Sequence, residues 1–247
     1  LTVGLFGLLC TGDTLFSIAG DPYDTLYEVI AGKGIGSLAD YGISFKKCDL
    51  SEGEFDYDGI RAGLSDPSVK VVFIQRSRGY EWRDALSQKQ IAAACAFVRE
   101  CGFAGCIFVD NCYGEFVEET EPTQNGADIA VGSLIKNPGG GLAPTGGYIA
   151  GRRDLVEGAA MRLTTPGIGK ECGSTFGANR SLYQGLFLAP HTTAQAVKTA
   201  VFAARMMELL GYRVDPPSDA VRRDIIQILH FGAPEPLKRF CRGIQFG

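Results

Sequence analysis

Apolar and polar positions alternate along the chain with two different periods, and this predicts alternating strands and helices. The run 69–75, VKVVFIQ, is almost continuously apolar and β-branched, which is typical of a strand buried on both faces. The run 87–101, SQKQIAAACAFVREC, has the periodicity of an amphipathic helix and ends before Gly102. By the same criteria we predict strands over 14–20, 43–50, 69–75, 105–111, 128–134 and 146–151, and helices over 21–32, 56–64 and 87–101.

The order of these elements predicts an α/β fold with a mostly parallel sheet sandwiched by helices and joined by right-handed crossovers. After about residue 185 the pattern changes, and we predict helices over 192–211 and 218–232 with a short extended segment, YRVDPP, between them. We therefore expect a large domain over 1–188 and the start of a smaller one over 189–247. The chain begins inside an apolar helical pattern and stops abruptly, so we expect an N-terminal part of the large domain to be missing and the small domain to be truncated.

Composition and charge restrict the class of protein. The 247 residues are 45% hydrophobic and 21% charged, as in ordinary globular proteins. A net charge of −4 gives no reason to expect a nucleic-acid or membrane partner. No apolar run is long enough to span a bilayer, and no cleavable signal pattern is present. The eight cysteines form no CxxC pair and both histidines are isolated, so we predict no metal site and a reducing cytoplasm as location.

Chemically active side chains follow three neighbouring strands of the predicted sheet. The segment RSRGYEWR follows the strand 69–75, DNCYGEF includes the end of the next strand, and SLIKNPGGG includes the end of the one after that. Because ligands bind beyond the carboxyl ends of strands in an open parallel sheet, arginines, a carboxylate, hydroxyls and a lysine are expected at one rim.

Two of these residues have both an ordinary and a functional interpretation. Asp110 is either a turn or cap residue or a carboxylate held beside a buried cation. Lys136 is either a solvated charge or a buried reactive amine. The reactive alternative requires a lowered pKa, to which neighbouring arginines are expected to contribute, and glycines that let other groups approach. NPGGG supplies the glycines.

A strand ending in Asp and, about 26 residues later, a strand ending in Ser-x-x-Lys resembles the large domain of fold-type-I pyridoxal-phosphate enzymes. The chain is most similar to the bacterial proteins labelled aluminium-resistance or methionine-gamma-lyase-like, which are related to cystathionine beta- and gamma-lyases. The similarity covers essentially the whole chain and is most specific over 106–151. It rests on PYDTL, QRSRGY, FVDNCYGEFVE, GADIAVGSLIKNPGGGLAPTGGYIAG and ECGSTFGANRSLYQGLFLAPH.

The resemblance implies pyridoxal 5'-phosphate as cofactor and a role for each matching residue. Lys136 would be the Schiff-base lysine, and Asp110 would pair with the protonated pyridine nitrogen. Ser133 would help bind the phosphate, and Tyr23 would stack on the ring and take part in catalysis. Further residues matching positions around the cofactor or substrate are Arg76, Ser77, Arg78, Asn111 and Tyr113.

The chain departs from the wider group of transsulfuration enzymes at one position next to the lysine. Those enzymes usually have a hydroxyl residue there, and this chain has Ile135. The glycine-rich phosphate loop is expected upstream of Leu1. The arginine that binds the substrate carboxylate is expected beyond Gly247, and we do not assign it to Arg239 or Arg242.

The resemblance implies a carbon-sulfur lyase that acts on a sulfur-containing amino acid by beta- or gamma-elimination. Two alternatives stay open: another reaction of the same cofactor (transamination, racemisation or aldol-type cleavage), or a non-catalytic stress-response protein with the same fold. A homodimer or homotetramer is implied as well.

Three further segments have plainer interpretations. GKGIGS (32–37) follows a helix and is predicted to be a C-cap and turn. TPGIGKECGS (165–174) lacks the spacing of a nucleotide P-loop. The acidic run GEFVEETEP (114–122) is predicted to be a solvated face, although Glu115 is close enough in sequence to Asp110 to reach the site.

Overall fold

A computed structural model describes residues 1–172 and 177–247 of the chain. The quoted segments 165–174 and 171–191 therefore lie partly outside the described residues. Six strands form the main sheet: β1 (Thr14–Ser17), β2 (Ser44–Lys47), β3 (Val69–Gln75), β4 (Cys106–Asp110), β5 (Ile129–Ser133) and β6 (Gly147–Gly151). Their order is β2–β1–β3–β4–β5–β6, and only β5 and β6 pair in antiparallel fashion. The predicted strands and the mostly parallel sheet are confirmed.

Helices cover both faces of this sheet. Five of them are α1 (Thr2–Leu8), α2 (Asp24–Ala31), α3 (Tyr57–Leu64), α4 (Gln88–Glu100) and α5 (Arg153–Ala160). Ile60 of α3 and Ile91 of α4 belong to one buried cluster, together with Val72 of β3. A second cluster contains Leu5 of α1 and Phe108 of β4, with side chains of α2 and α5 packed in or against it. The sheet is therefore sandwiched by helices, as predicted, and its apolar burial is the main stabilising contribution.

The chain continues with α6 (Asn179–Leu209), β7 (Arg213–Asp215), β8 (Ile228–His230) and α7 (Pro234–Phe246), in which β7 and β8 form a two-stranded antiparallel sheet. The predicted helix 192–211 and the extended segment after it are confirmed, but the helix starts earlier, at Asn179. It runs through residue 188, and the domain bounds 1–188 and 189–247 stay a prediction. None of the helices in the described ranges combines the length and the apolar character needed to cross a membrane.

The predicted helix over 218–232 is wrong. Most of this segment is irregular, and its last part forms β8. Its polar groups bond to other parts of the chain: the Ile225 N–H donates to the Tyr113 carbonyl at 3.2 Å, and the Arg223 guanidinium donates to the Ala85 carbonyl at 3.2 Å. The Asp224 carboxylate accepts the N–H of Ile226 at 3.0 Å, a local turn that competes with helix. These contacts outweigh the helical periodicity.

The glycine-rich segment after α2 is a turn, as predicted, and it surrounds a carboxylate. The helix ends at Gly32. Asp40 then accepts four backbone N–H groups of the turn at 2.8–3.2 Å, those of residues 34, 35, 36 and 37. These bonds, that of Gly34 foremost, lower the pKa of Asp40. Donors that a bound anion would need are therefore already paired.

Candidate active site

A cavity of about 680 Å³ opens beyond the carboxyl ends of β3 and β4. Tyr23, Asp110, Tyr113 and Lys136, all singled out in the sequence, line it. The opposite wall is apolar and comes from the C-terminal part of the chain, in and around β8 and α7. Its volume is in the usual range for small-molecule sites, and its position is the one at which open parallel sheets bind ligands.

Asp110 is the last residue of β4 and is fixed by its neighbours in the sheet. Its backbone pairs with Gln75 of β3 and Val131 of β5. The side chain is 3% exposed, and Oδ1 accepts the backbone N–H of Cys112 at 3.1 Å. Asp110 therefore organises the turn after β4 and also lines the cavity, and its pairing with a cation stays a prediction.

Lys136 lies three residues after the end of β5, and its backbone N–H donates to the Ser133 carbonyl at 3.2 Å. Its Nζ is 4.0 Å from the centroid of the Tyr113 ring, a cation–π contact. Lys136 is thus a half-buried amine that lines the cavity, and its role as the reactive amine stays a prediction.

The expected lowering of the Lys136 pKa by arginines is wrong. Burial acts to lower the pKa, but the neighbouring side chains of Cys112, Tyr113 and Asp110 outweigh burial, and the pKa lies above its ordinary value. The arginines after β3 are paired elsewhere: Arg76 with Glu118 at 2.6 Å and Arg78 with Asp215 at 2.9 Å. The cavity therefore stabilises the ammonium form of Lys136.

Tyr23 is held at the rim by a contact between α2 and β3. It is the N-cap of α2, and its backbone N–H donates to the Gln75 side chain at 2.8 Å. Burial, with help from the charge of Asp110, raises the pKa of the Tyr23 phenol, and Lys136 acts in the opposite direction. The phenol keeps its proton at neutral pH and presents a neutral ring.

Two residues with a predicted cofactor contact are not among those that line the cavity. Ser133 is the last residue of β5 and pairs with Gly147 of β6. Arg78 is 2% exposed and pairs with Asp215 and, at 3.2 Å, with Asp84. Their predicted roles stay predictions.

The acidic run 114–122 is not the solvated face that was predicted. Glu115 is 3% exposed, accepts the Tyr148 hydroxyl at 3.0 Å, and has a second oxygen without a hydrogen-bond partner. Burial raises its pKa to about 8. Gly132 of β5 makes room for this pair, because a Cβ there would lie 2.2 Å from the Glu115 carboxyl. Nothing in the sequence marks Glu115 as buried, because its contact with Gly132 exists only in the folded chain.

Cys112 also lines the cavity, although nothing in the sequence singled it out. Burial and then the Asp110 charge raise the pKa of its thiol to about 12, so it is a neutral thiol at physiological pH. Within residues 1–172 and 177–247, no three His, Cys, Asp or Glu side chains are grouped as ligands of a metal ion.

Comparison with known proteins gives the family. The model of the family described as Methionine gamma-lyase matches residues 1–247. The protein YnbB of Bacillus subtilis (strain 168) is 47% identical over 250 residues, which cover 100% of this chain and 59% of YnbB. A candidate cystathionine beta-lyase involved in aluminum resistance from Clostridium acetobutylicum is 52% identical with a TM-score of 0.95, over 99% of this chain and 59% of that one. A carbon-sulfur lyase involved in aluminum resistance from Clostridium novyi NT is 48% identical with a TM-score of 0.94, over the same shares.

The fold is that of fold-type-I pyridoxal-phosphate enzymes, with a mostly parallel sheet flanked by helices, as the sequence predicted. The chain spans about three fifths of the length of the first of these relatives. With the whole chain matched and identities near one half, the chain belongs to the methionine gamma-lyase family, and its similarity extends to the two Clostridium members described as involved in aluminum resistance.

Proposed function

We propose that this protein is a pyridoxal-phosphate-dependent carbon-sulfur lyase that acts on a sulfur-containing amino acid by beta- or gamma-elimination. The observation that carries the proposal is that the Lys136 amine and the Asp110 carboxylate open onto one cavity at the carboxyl edge of the sheet. The lyase names of the Clostridium relatives support the reaction class.

The donor set of the cavity fits the cofactor. A primary amine is available for covalent attachment of an aldehyde, and a buried carboxylate is available for a protonated ring nitrogen. Tyr23 and Tyr113 supply aromatic rings beside these two groups. We assign Lys136 to the aldehyde, Asp110 to the ring nitrogen and Tyr23 to the ring face; Ser133, Arg78 and Tyr113 stay proposed contacts.

Lys136 would also move the substrate proton. Pyridoxal phosphate, when bound, supplies an electron sink for the electrons left at the substrate α-carbon. Nζ of Lys136 takes the α-proton and becomes an ammonium, the form that the cavity stabilises. The neutral phenol of Tyr23 leaves that charge balance unchanged. Asp110 keeps its place through the Cys112 N–H and the strands on either side.

The test combines peptide mapping with product analysis on the full-length protein. Borohydride reduction should fix the cofactor on Lys136, and Lys136→Ala should abolish turnover, whereas Lys70→Ala, at an exposed lysine, should leave it unchanged. Elimination gives a 2-oxo acid, ammonia and a thiol or sulfide. Full activity of Lys136→Ala would overturn the proposal, and conversion of the cofactor to its amine form by amino acids would favour transamination.

We further propose that the active protein is a homodimer or homotetramer. Tyr80 and Trp82 line the cavity but are 85% and 66% exposed, which supports coverage by another subunit. Light scattering of the full-length protein in solution measures the mass, and a monomer would contradict this proposal.

A further inference from the structure

The residue after Lys136 joins the two loops that carry the reactive groups of the cavity. Asn137 is 5% exposed, and its Nδ2 donates to the carbonyl oxygen of Tyr113 at 3.1 Å and to that of Glu115 at 3.0 Å. Both partners can only accept, so the amide nitrogen and not the oxygen must face them. The orientation of this carboxamide is therefore fixed.

The turn that Asn137 bonds to has a backbone conformation that is unfavourable for its residues. Tyr113 and Phe116 have φ values of 71° and 63°, in the left-handed region that residues other than glycine rarely adopt. Such conformations persist where surrounding contacts determine them. The two bonds from Asn137 reach this turn from the Lys136 loop, and the Ile225 N–H reaches the same Tyr113 carbonyl from the C-terminal part.

The loop of Lys136 is itself tightly packed. The Lys136 carbonyl accepts the N–H of Gly139 at 3.1 Å, and the Lys136 N–H donates to Ser133. A Cβ at Gly139 would lie 1.6 Å from the carbonyl oxygen of Leu134, so no other residue fits there without a rearrangement of the loop. Residues 134–139 therefore keep one shape, and a bond from Asn137 fixes the backbone of Lys136 relative to Tyr113.

We propose that Asn137 is a positioning residue that holds the Lys136 amine in its place over the Tyr113 ring. The inference rests on the proposed role of Lys136 as the reactive amine. Covalent attachment and proton transfer both require an amine held to within a fraction of an ångström, and neighbouring bonds supply that restraint. Without the carboxamide, the two loops lose both hydrogen bonds from Asn137, and Nζ leaves its contact with the ring.

Asn125 offers a matched control. Its Nδ2 donates to the Gln88 side chain at 2.9 Å, to the Thr120 hydroxyl at 2.9 Å and to the Glu121 carbonyl at 3.2 Å. Asn125 therefore links α4 to the turn at 120–125, in the same way that Asn137 links two loops. Neither Asn125 nor its three partners line the cavity. Asn125→Ala removes at least as many hydrogen bonds without contact with Lys136.

The experiment measures the amine itself. Trace acetylation of the full-length protein after removal of the cofactor, over a pH series and followed by peptide mapping, gives the pKa of the free Lys136 amine. In the wild type it should lie above the ordinary lysine value; in Asn137→Ala it should fall back toward that value, and in Asn125→Ala it should be unchanged. The rate at which pyridoxal phosphate attaches to Lys136, trapped with borohydride, should fall at least tenfold in Asn137→Ala only.

A wild-type Lys136 pKa together with a wild-type attachment rate in Asn137→Ala would overturn the proposal. Asn137→Ser keeps one donor and should give intermediate values, and it decides the matter if Asn137→Ala does not fold; wild-type values in it also overturn the proposal. If the cofactor attaches to no lysine or to another one in the wild type, the proposed function is wrong, while the pKa comparison still tests Asn137.

Discussion

The main sheet and the C-terminal part of the chain differ in what holds them in place. Every residue of β4 is buried, and so is every residue of β3 except Lys70, which is exposed. By contrast, α7 contains no buried residue, and the segment before β8 is held by polar bonds to the rim of the sheet. Apolar burial thus determines the first region, whereas directed hydrogen bonds and ion pairs position the second against the cavity.

The largest contrast is expected between two phenylalanines. Phe108 of β4 is fully buried, and Phe246 of α7 is 97% exposed. Phe108→Ala should lower the free energy of unfolding by about 3 to 5 kcal/mol, because it leaves a cavity between the sheet and α1. Phe246→Ala should change it by less than about 0.5 kcal/mol. Urea unfolding followed by circular dichroism measures both, and equal effects would contradict the comparison.

Arg76 connects the two regions, and its substitution should have the next largest effect on the free energy of unfolding. Its guanidinium is fully buried and bonds to Asn111 at 2.8 Å, Glu118 at 2.6 Å and the Arg223 carbonyl at 3.1 Å. Arg76→Met should cost about 3 kcal/mol of unfolding free energy, because buried partners are left unpaired. Arg239→Met, which breaks an exposed pair in α7, should cost less than about 0.5 kcal/mol in the same assay.

Glu115 should give the rim of the sheet a pH dependence that α7 lacks. Its folded-state pKa of about 8 is above the ordinary value of 4.5, so the folded protein keeps a proton that the unfolded chain releases. The unfolding free energy therefore falls as pH rises from about 4.5 to 8 and then levels off. Glu115→Gln should remove this fall, so that its gain in unfolding free energy over wild type grows by about 3 to 4 kcal/mol from pH 5 to pH 8.

The control for this prediction is Glu235→Gln, at an exposed position in the first turn of α7. Its unfolding free energy should follow the wild-type pH profile. A Glu115→Gln variant with that same profile would mean that Glu115 is already ionised at neutral pH in the folded protein.

The smallest expected effects come from the ends of two helices. The Ser87 hydroxyl accepts the N–H of Gln90 in a capping box at α4, whereas the N-cap of α7, Ala233, has no capping side chain. Ser87→Ala should lose about 1 kcal/mol of unfolding free energy, and Ala233→Ser should gain about 0.5 to 1 kcal/mol. Thermal unfolding of both variants gives the two signs, and a loss in Ala233→Ser would show that the start of α7 is frayed.

The same contrast explains which parts of the fold could be predicted from sequence. The strand 69–75 was predicted with its observed bounds, because burial on both faces leaves a continuous apolar run. The prediction of a helix over 218–232 was wrong. Arg223 and Ile225 bond to residues far away in sequence and Asp224 to a local turn, and the hydrophobic periodicity carries no information about such hydrogen bonds.

For the site, the sequence could place Asp110 and Lys136 at strand ends and hence at one rim. It could not assign the direction of the Lys136 pKa, because that depends on Cys112 and Tyr113 across a folded turn and on arginines that pair elsewhere. Nor could it show that Glu115 is buried or that Asn137 bridges two loops, because both facts depend on distances between separate segments.

The turn after α2 has a consequence for how glycine-rich segments in such chains are interpreted. Four consecutive N–H groups converge on one carboxylate, the geometry by which other proteins capture phosphate. Here the anion is tethered three residues beyond the loop, so any free phosphate competes with a ligand present at very high local concentration. Asp40 therefore pairs the backbone donors of this segment within the chain itself, which makes it a structural turn.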